Sequence, residues 1–165
     1  MINKDDFEEY YQKTGPEPLD KKFTFEKFEK IVSKKKKAIK PLLLEVGFVA
    51  GVGNIYASEI CFCAGVSPFE RTNKMTKKEK KAIFDCLKKI LKMAIEKKGT
   101  SSKDYVDAFG RKGNMNKYLK VYQKEGEICL KCKKIKIIKE KQAGRSTFYC
   151  PECQKTDKKL LKKSN

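Results

Sequence analysis

The chain has 165 residues, room for about one domain or one domain with a small appendage, and it carries 40 Lys and Arg against 21 Asp and Glu, a formal net charge of +19. That excess rules out no fold, but it points to polyanions as partners, nucleic acid first and an acidic membrane surface second. No apolar run approaches the roughly 18 residues of a membrane-spanning helix, and no signal-peptide core follows Met1; the expectation is an intracellular protein, a setting that disfavours disulfides and favours a metal for paired cysteines.

Residues 1–22 read as a loose lead-in, with Gly15-Pro16-Glu17-Pro18 hostile to helix. Thr24 can then N-cap a helix that carries Phe25, Phe28, Ile31 and Val32 on one face. It runs into Lys34-Lys35-Lys36-Lys37, a basic ridge before the apolar segment Ile39 to Leu44. Gly51 and Gly53 allow a tight turn, after which Asn54 opens an apolar helix, Ile55 to Ala64, ended by Gly65. The spacing Gly51-x-Gly53 is not a dinucleotide fingerprint, because Tyr56 replaces the third glycine and no βαβ pattern surrounds it. Two readings of the turn stand side by side: a helix N-terminus whose free N–H groups face a phosphate, or a plain interhelical connection.

Pro68 interrupts helix, and Thr76 with Glu79 forms a capping box that starts the longest helix, to about Lys97. Ile83, Leu87, Ile90, Leu91, Ala94 and Ile95 recur on its apolar face, and Gly99 stops it. Residues 100–126 are shorter pieces rich in Gly, Lys and Tyr. Ile135, Ile137 and Ile138 then read as one strand, Gly144 as a turn, and Thr147 to Tyr149 as the hairpin partner.

Two Cys-x-x-Cys knuckles flank that hairpin: Cys129 with Cys132, and Cys150 with Cys153. Four thiolates so spaced can converge on one tetrahedral zinc. All four ligand positions are then filled, so the metal is structural, and it supplies the stability that so small a hairpin cannot draw from its own core. The other cysteines, Cys61, Cys63 and Cys86, read as small buried core residues.

Taken together, these segments closely resemble the C-terminal half of the formamidopyrimidine-DNA glycosylases, the Fpg/Nei base-excision repair family. The resemblance rests on motifs in family order: Gly15-Pro-Glu-Pro-Leu19, Lys35-Lys-Lys-Ala-Ile-Lys-Pro-Leu-Leu-Leu44, Val49-Ala-Gly-Val-Gly-Asn-Ile-Tyr-Ala-Ser-Glu59 and Ala64-Gly-Val-Ser-Pro68. Gly99-Thr-Ser-Ser-Lys-Asp-Tyr105, Val121-Tyr-x-x-x-Gly-Glu127 and the run from Arg145 through the second knuckle to Gln154 complete the series. It implies a mainly α chain: a helix-two-turns-helix (H2TH) DNA-binding domain over residues 23–118 and a zinc-ribbon finger over 119–155. The basic tail over 156–165 reads as an extra backbone contact or, as termini usually are, a frayed end, the latter favoured.

The resemblance also implies roles. Asn54 would hold a phosphate near the lesion, Lys36 would contact DNA, and Arg145 would grip the backbone around an extruded nucleotide and donate a proton in δ-elimination. One structural Zn²⁺ would sit on Cys129, Cys132, Cys150 and Cys153. The partner would be double-stranded DNA, damaged or abasic, with no membrane involved. The family reaction removes an oxidised purine from a flipped nucleotide and cleaves the strand, using an N-terminal Pro-Glu. This chain opens Met1-Ile2-Asn3-Lys4, so the expectation is a chain that binds without cutting, with the catalytic half on a separate polypeptide, in an interrupted frame, or shed. Departures from the family pattern at Val46, at Gly113-Asn-Met-Asn116 and at Ser101 and Ser102 bear on base recognition more than on phosphate binding. The competing reading is a non-catalytic zinc-ribbon module that binds nucleic acid without damage preference.

Overall fold

The structure is a computed structural model that describes residues 13–100 and 113–155. The lead-in before residue 13, Ser101 and Ser102, and the basic tail lie outside the described residues. Among the described residues the helical part is built on α1 (Phe25–Ser33), α2 (Ile39–Leu43), α3 (Asn54–Ala64) and α4 (Lys77–Glu96), followed by a 3₁₀ turn at Met115–Tyr118. A hairpin of β1 (Ile138–Gln142) and β2 (Arg145–Tyr149) makes the rest.

Local chemistry accounts for the helix ends. The Lys27 N–H donates to the Thr24 hydroxyl at the start of α1. The capping box of α4 is complete: the Glu79 N–H donates to the Thr76 hydroxyl, and the Glu79 carboxylate accepts from the Thr76 N–H at 2.7 Å. Gly65 ends α3 in the left-handed conformation, φ 67°, with its N–H on the Phe62 carbonyl. α2 starts where residues 37–39 run against 70–72, through Ile39 N–H to Glu70 O and Thr72 N–H to Lys37 O.

One apolar core joins α1, α2, α3 and α4. Phe28 is fully buried, and its ring lies 5.5 Å from Phe84 and 6.0 Å from Phe48, centroid to centroid. Ile39, Leu42, Ile60, Ile83 and Leu87 close around these rings. A second, smaller core belongs to the hairpin, where Val121, Cys129, Ile137, Phe148 and Cys150 pack with Phe62 from α3. Phe62 therefore seats the hairpin on the helices.

Two sequence expectations need correction. The first strand is Ile138–Gln142, later than Ile135 to Ile138. Ile135 and Ile137 instead serve the knuckle, with Cys129 N–H bonding to Ile135 O and Ile137 N–H to Glu127 O. The apolar triplet misled because Ile137 packs inward as a single anchor, while the strand itself, Ile-Lys-Glu-Lys-Gln, is mostly exposed. The second correction concerns Cys63 and Cys86, which form a disulfide with Cα atoms 5.9 Å apart. Packing of α3 on α4 brings them within bridging range, a juxtaposition that residue spacing does not report. Cys61 and Cys86 are both buried in the core, as expected, and Cys63 packs partly buried against it; Cys61 keeps a free thiol that burial pushes up to about 12. Among the described residues, no helix is long and apolar enough to cross a membrane.

Candidate nucleic-acid interface

The N-terminus of α3 lies against the hairpin through one buried lysine. The Lys40 side chain is 1% exposed. Its ammonium donates to Asn54 Oδ1 at 2.7 Å, to Thr147 Oγ1 at 2.9 Å and to the Ser146 carbonyl at 3.4 Å. Asn54 Nδ2 donates to the same Ser146 carbonyl at 3.0 Å. Thr147 passes a hydrogen bond on to Gln142 Oε1, and Gln142 Nε2 donates to the Pro68 carbonyl. The circuit starts and ends on the helical part and runs through both strands of the hairpin. Burial lowers the Lys40 pKa to about 8, and the nearby Arg145 guanidinium pushes the same way, against the Cys61 thiol.

The hairpin turn aims Arg145. Gln142 pairs with Arg145 as the last register pair, and the two turn residues between them, Ala143 and Gly144, have φ of 48° and 77°. Two positive φ angles in a two-residue loop match the right-handed twist of the strands. Arg145 thus leaves the turn as an exposed side chain beside Ser146, whose carbonyl holds Asn54.

At the start of α3 the first intrahelical bond runs from Ala57 N–H to Gly53 O, and no side chain caps the end. The N–H groups of Asn54, Ile55 and Tyr56 therefore lie at an open helix terminus. Gly53 itself has φ −101°, and a Cβ added there would meet nothing within 4 Å.

The lysine ridge divides into two pairs. Lys35 and Lys37 both bind the Glu45 carboxylate, and Lys37 holds that carboxyl below its ordinary range together with Lys35. Lys34 and Lys36 make no ion pair among the described residues; both are exposed. Lys36 sits beside the Arg71 guanidinium, which donates to the Lys36 carbonyl. The ridge thus separates Lys34 and Lys36 from the ion-paired Lys35 and Lys37, and Lys36, the residue that the resemblance singles out, is in the exposed pair. No direct contact joins Lys36 to Asn54 or Arg145.

The sulfur atoms of Cys129, Cys132, Cys150 and Cys153 all lie within 4.8 Å of one another. As free thiols they differ: amide groups of Ile135 and Lys134 lower Cys132 to about 6, while burial and neighbouring thiols push Cys153 up to about 12. Four sulfur donors at this spacing fit one tetrahedral divalent cation, which would favour the thiolate form at all of them. The set leaves no ligand position for water, so the ion would hold the two knuckles together and supply no catalytic hydroxide.

Two residues that the sequence reading did not single out set the finger's position. Lys40 is one. Glu59 is the other: its buried carboxylate accepts the N–H groups of Lys120, Val121 and Tyr122, at 2.9 to 3.0 Å. Gln154 adds a third clasp, taking the Cys150 N–H and giving its own amide to the Val66 carbonyl. A polar residue such as Lys40 inside the otherwise apolar run Ile39 to Leu44 was the available signal.

Comparison with known proteins agrees with this geometry. The family described as "Formamidopyrimidine-DNA glycosylase H2TH domain" matches residues 14–106, and "Zinc finger found in FPG and IleRS" matches residues 126–156. The formamidopyrimidine-DNA glycosylase of Carboxydothermus hydrogenoformans is 45% identical over 141 residues, which is 86% of this chain and 53% of that protein. The Listeria monocytogenes counterpart is 46% identical over 144 residues, 87% of this chain and 52% of that one. Among solved structures, the complex of Lactococcus lactis Fpg with abasic-site DNA superposes with a TM-score of 0.84 at 39% identity, covering 94% of this chain and 57% of that chain. MutM in complex with DNA containing carbocyclic 8-oxo-G gives the same TM-score at 37% identity. This chain spans about half the length of the curated relatives it matches.

Proposed function

Because this chain belongs to the formamidopyrimidine-DNA glycosylase H2TH-domain family, we propose that it is the damaged-DNA-binding, C-terminal portion of a base-excision repair glycosylase acting on oxidised purines. The observation that carries this is the Lys40 circuit, which ties Asn54 at an open helix terminus to the strand that begins with Arg145. A backbone phosphate would be taken by the free N–H groups of α3 together with the second Nδ2 hydrogen of Asn54. Arg145 would grip a neighbouring phosphate from the finger, and Lys36 would add a cation from the ridge. The empty space beside Gly53 supports the same reading, since nothing in the protein requires the missing Cβ there, whereas a closely approaching DNA strand would. The related Lactococcus lactis protein is described in complex with abasic-site DNA.

Taken alone, the 165-residue chain is proposed to bind without cutting. Imine chemistry at a sugar needs a neutral, accessible amine. Among the described residues, Lys40 is the lysine with a markedly lowered pKa, yet it is buried and its hydrogens are committed to three acceptors. The proton-donor role of Arg145 in elimination would be exercised only with a nucleophile supplied by a partner half.

Borohydride trapping on abasic duplex DNA tests the catalytic part: no covalent adduct should form with this chain, and an adduct would overturn that part of the proposal. Competition between a tetrahydrofuran-containing duplex and its intact counterpart tests recognition. Tighter binding of the abasic duplex is expected; equal affinity would instead make the chain a general nucleic-acid-binding module.

A further inference from the structure

The Cys63–Cys86 disulfide lies at the wall of a cavity that the DNA-facing residues do not use. The cavity has a volume of about 280 Å³ and lies between α3, α4 and the segment leading into the finger. Phe62, Cys63 and Met93 contribute to its wall, and Lys89, Lys120 and Lys131 surround it with positive charge. The Lys131 ammonium stands 5.9 Å from the centre of the Phe62 ring. Its acidic residue, Glu59, turns its carboxylate to the amides of Lys120, Val121 and Tyr122, so the lysines decide the sign of the cavity's charge.

The two sulfurs are unequally placed. Cys63 is half-buried and lines the cavity, whereas Cys86 is 8% exposed and does not. We propose that this cavity is a thiol–disulfide exchange site for small carboxylate-bearing thiols, which reach Cys63 and reversibly open the bond between α3 and α4. The incoming thiolate attacks the Cys63 sulfur, a mixed disulfide forms there, and Cys86 leaves as a thiolate. A second molecule of the same thiol attacks the mixed disulfide on the small thiol's own sulfur. Cys63 then leaves as a thiolate, the two small thiols leave as their disulfide, and protons from water complete both protein thiols. The reverse sequence, driven by the oxidised small thiol, closes the bond. Fully buried Cys61, with its thiol raised to about 12, takes no part.

The test uses the zinc-loaded, oxidised full chain. Exchange is followed by alkylation of released thiols and mass mapping of the Cys63 and Cys86 peptides. Glutathione, which carries carboxylates, is compared with neutral mercaptoethanol and cationic cysteamine at matched thiolate concentration. Glutathione is expected to react on the order of tenfold faster than the neutral thiol, and cysteamine more slowly. The advantage should shrink in 1 M NaCl and disappear in Lys89→Gln/Lys120→Gln/Lys131→Gln. That variant removes few of the chain's charges, so persistence of the advantage would trace it to general net charge and overturn the site. Oxidised glutathione should modify Cys63 in Cys86→Ser and leave Cys86 untouched in Cys63→Ser. Recovery of both cysteines as free thiols from the oxidised protein, equal rates for the three reagents, or preferential modification of Cys86 would each overturn the proposal.

Discussion

Asn54 has both ends of its amide engaged inside the protein, Oδ1 by Lys40 and one Nδ2 hydrogen by Ser146. It is therefore oriented before any phosphate arrives. Replacing Asn54 or Arg145 by Ala is expected to weaken duplex binding by about 1–3 kcal/mol each, the range for a lost charge-assisted hydrogen bond; fluorescence anisotropy titration measures it, and unchanged affinity in both would remove the assigned roles. Gly53→Ala separates binding from folding. Its φ of −101° suits alanine and the site is open, so stability should change by no more than about 0.5 kcal/mol in denaturant titration. Duplex affinity should nevertheless fall, because the methyl group stands where the DNA backbone would approach. Lys40 gives a pH signature. Its folded pKa, about 8, lies below the ordinary 10.5. Below pH 8 both folded and unfolded states hold the proton and the buried charge weighs fully on the fold. Between about 8 and 10.5 the unfolded state holds more protons, so this group's contribution makes stability rise with pH. The stability difference between the native chain and Lys40→Met, followed by denaturant midpoint across that window, should show the rise; a flat difference would mean that Lys40 titrates normally.

At the scale of elements, the helices and the hairpin draw on different sources of stability. The helical part buries Phe28, Ile39, Leu42, Ile60, Ile83 and Leu87 in its own core. The hairpin has a core of few residues and one predicted ion. Chelation of zinc is expected to abolish the dispersed amide signals of β1 and β2 while most of the far-ultraviolet helical signal survives. Collapse of the helical signal in parallel would contradict separate sources of stability. This division was legible from residue spacing: knuckles mark the finger, and the capping box with its 3.6-residue apolar period marks α4. The clasps between the two parts were not legible. Glu59 sits on an apolar helix and reads as a stray acid; its partners are backbone amides some sixty residues on, which have no sequence signature. The late start of β1 was hidden for the opposite reason. Its residues are charged and exposed, and the apolar signal of Ile135 and Ile137 belongs to the knuckle. Cys63 and Cys86 found each other through helix packing, which composition does not encode.

For the whole molecule, the net charge of +19 makes binding to DNA salt-sensitive, and the number of phosphates contacted sets how steeply. Each phosphate neutralised releases counterions, and log K should fall against log salt with a slope of about −0.9 per contact. Lys36→Ala should make that slope shallower by about one unit and weaken binding to abasic and intact duplexes alike, since a ridge lysine reads charge and not damage. Titrations at four salt concentrations measure both quantities, and an unchanged slope would take Lys36 out of the interface.

The circuit from Lys40 through Thr147 and Gln142 to Pro68 has a consequence for how contact with a duplex would be made. It fixes the spacing between the α3 terminus and the hairpin turn in the free protein, as the jaws of a caliper are set before measuring. A duplex whose phosphates do not match that spacing must itself bend, and the deformation energy then falls on the DNA. An abasic site, with one base missing from the stack, bends at lower cost than intact duplex. On the proposed function, rigidity in the protein would thereby become discrimination between substrates without a base being read.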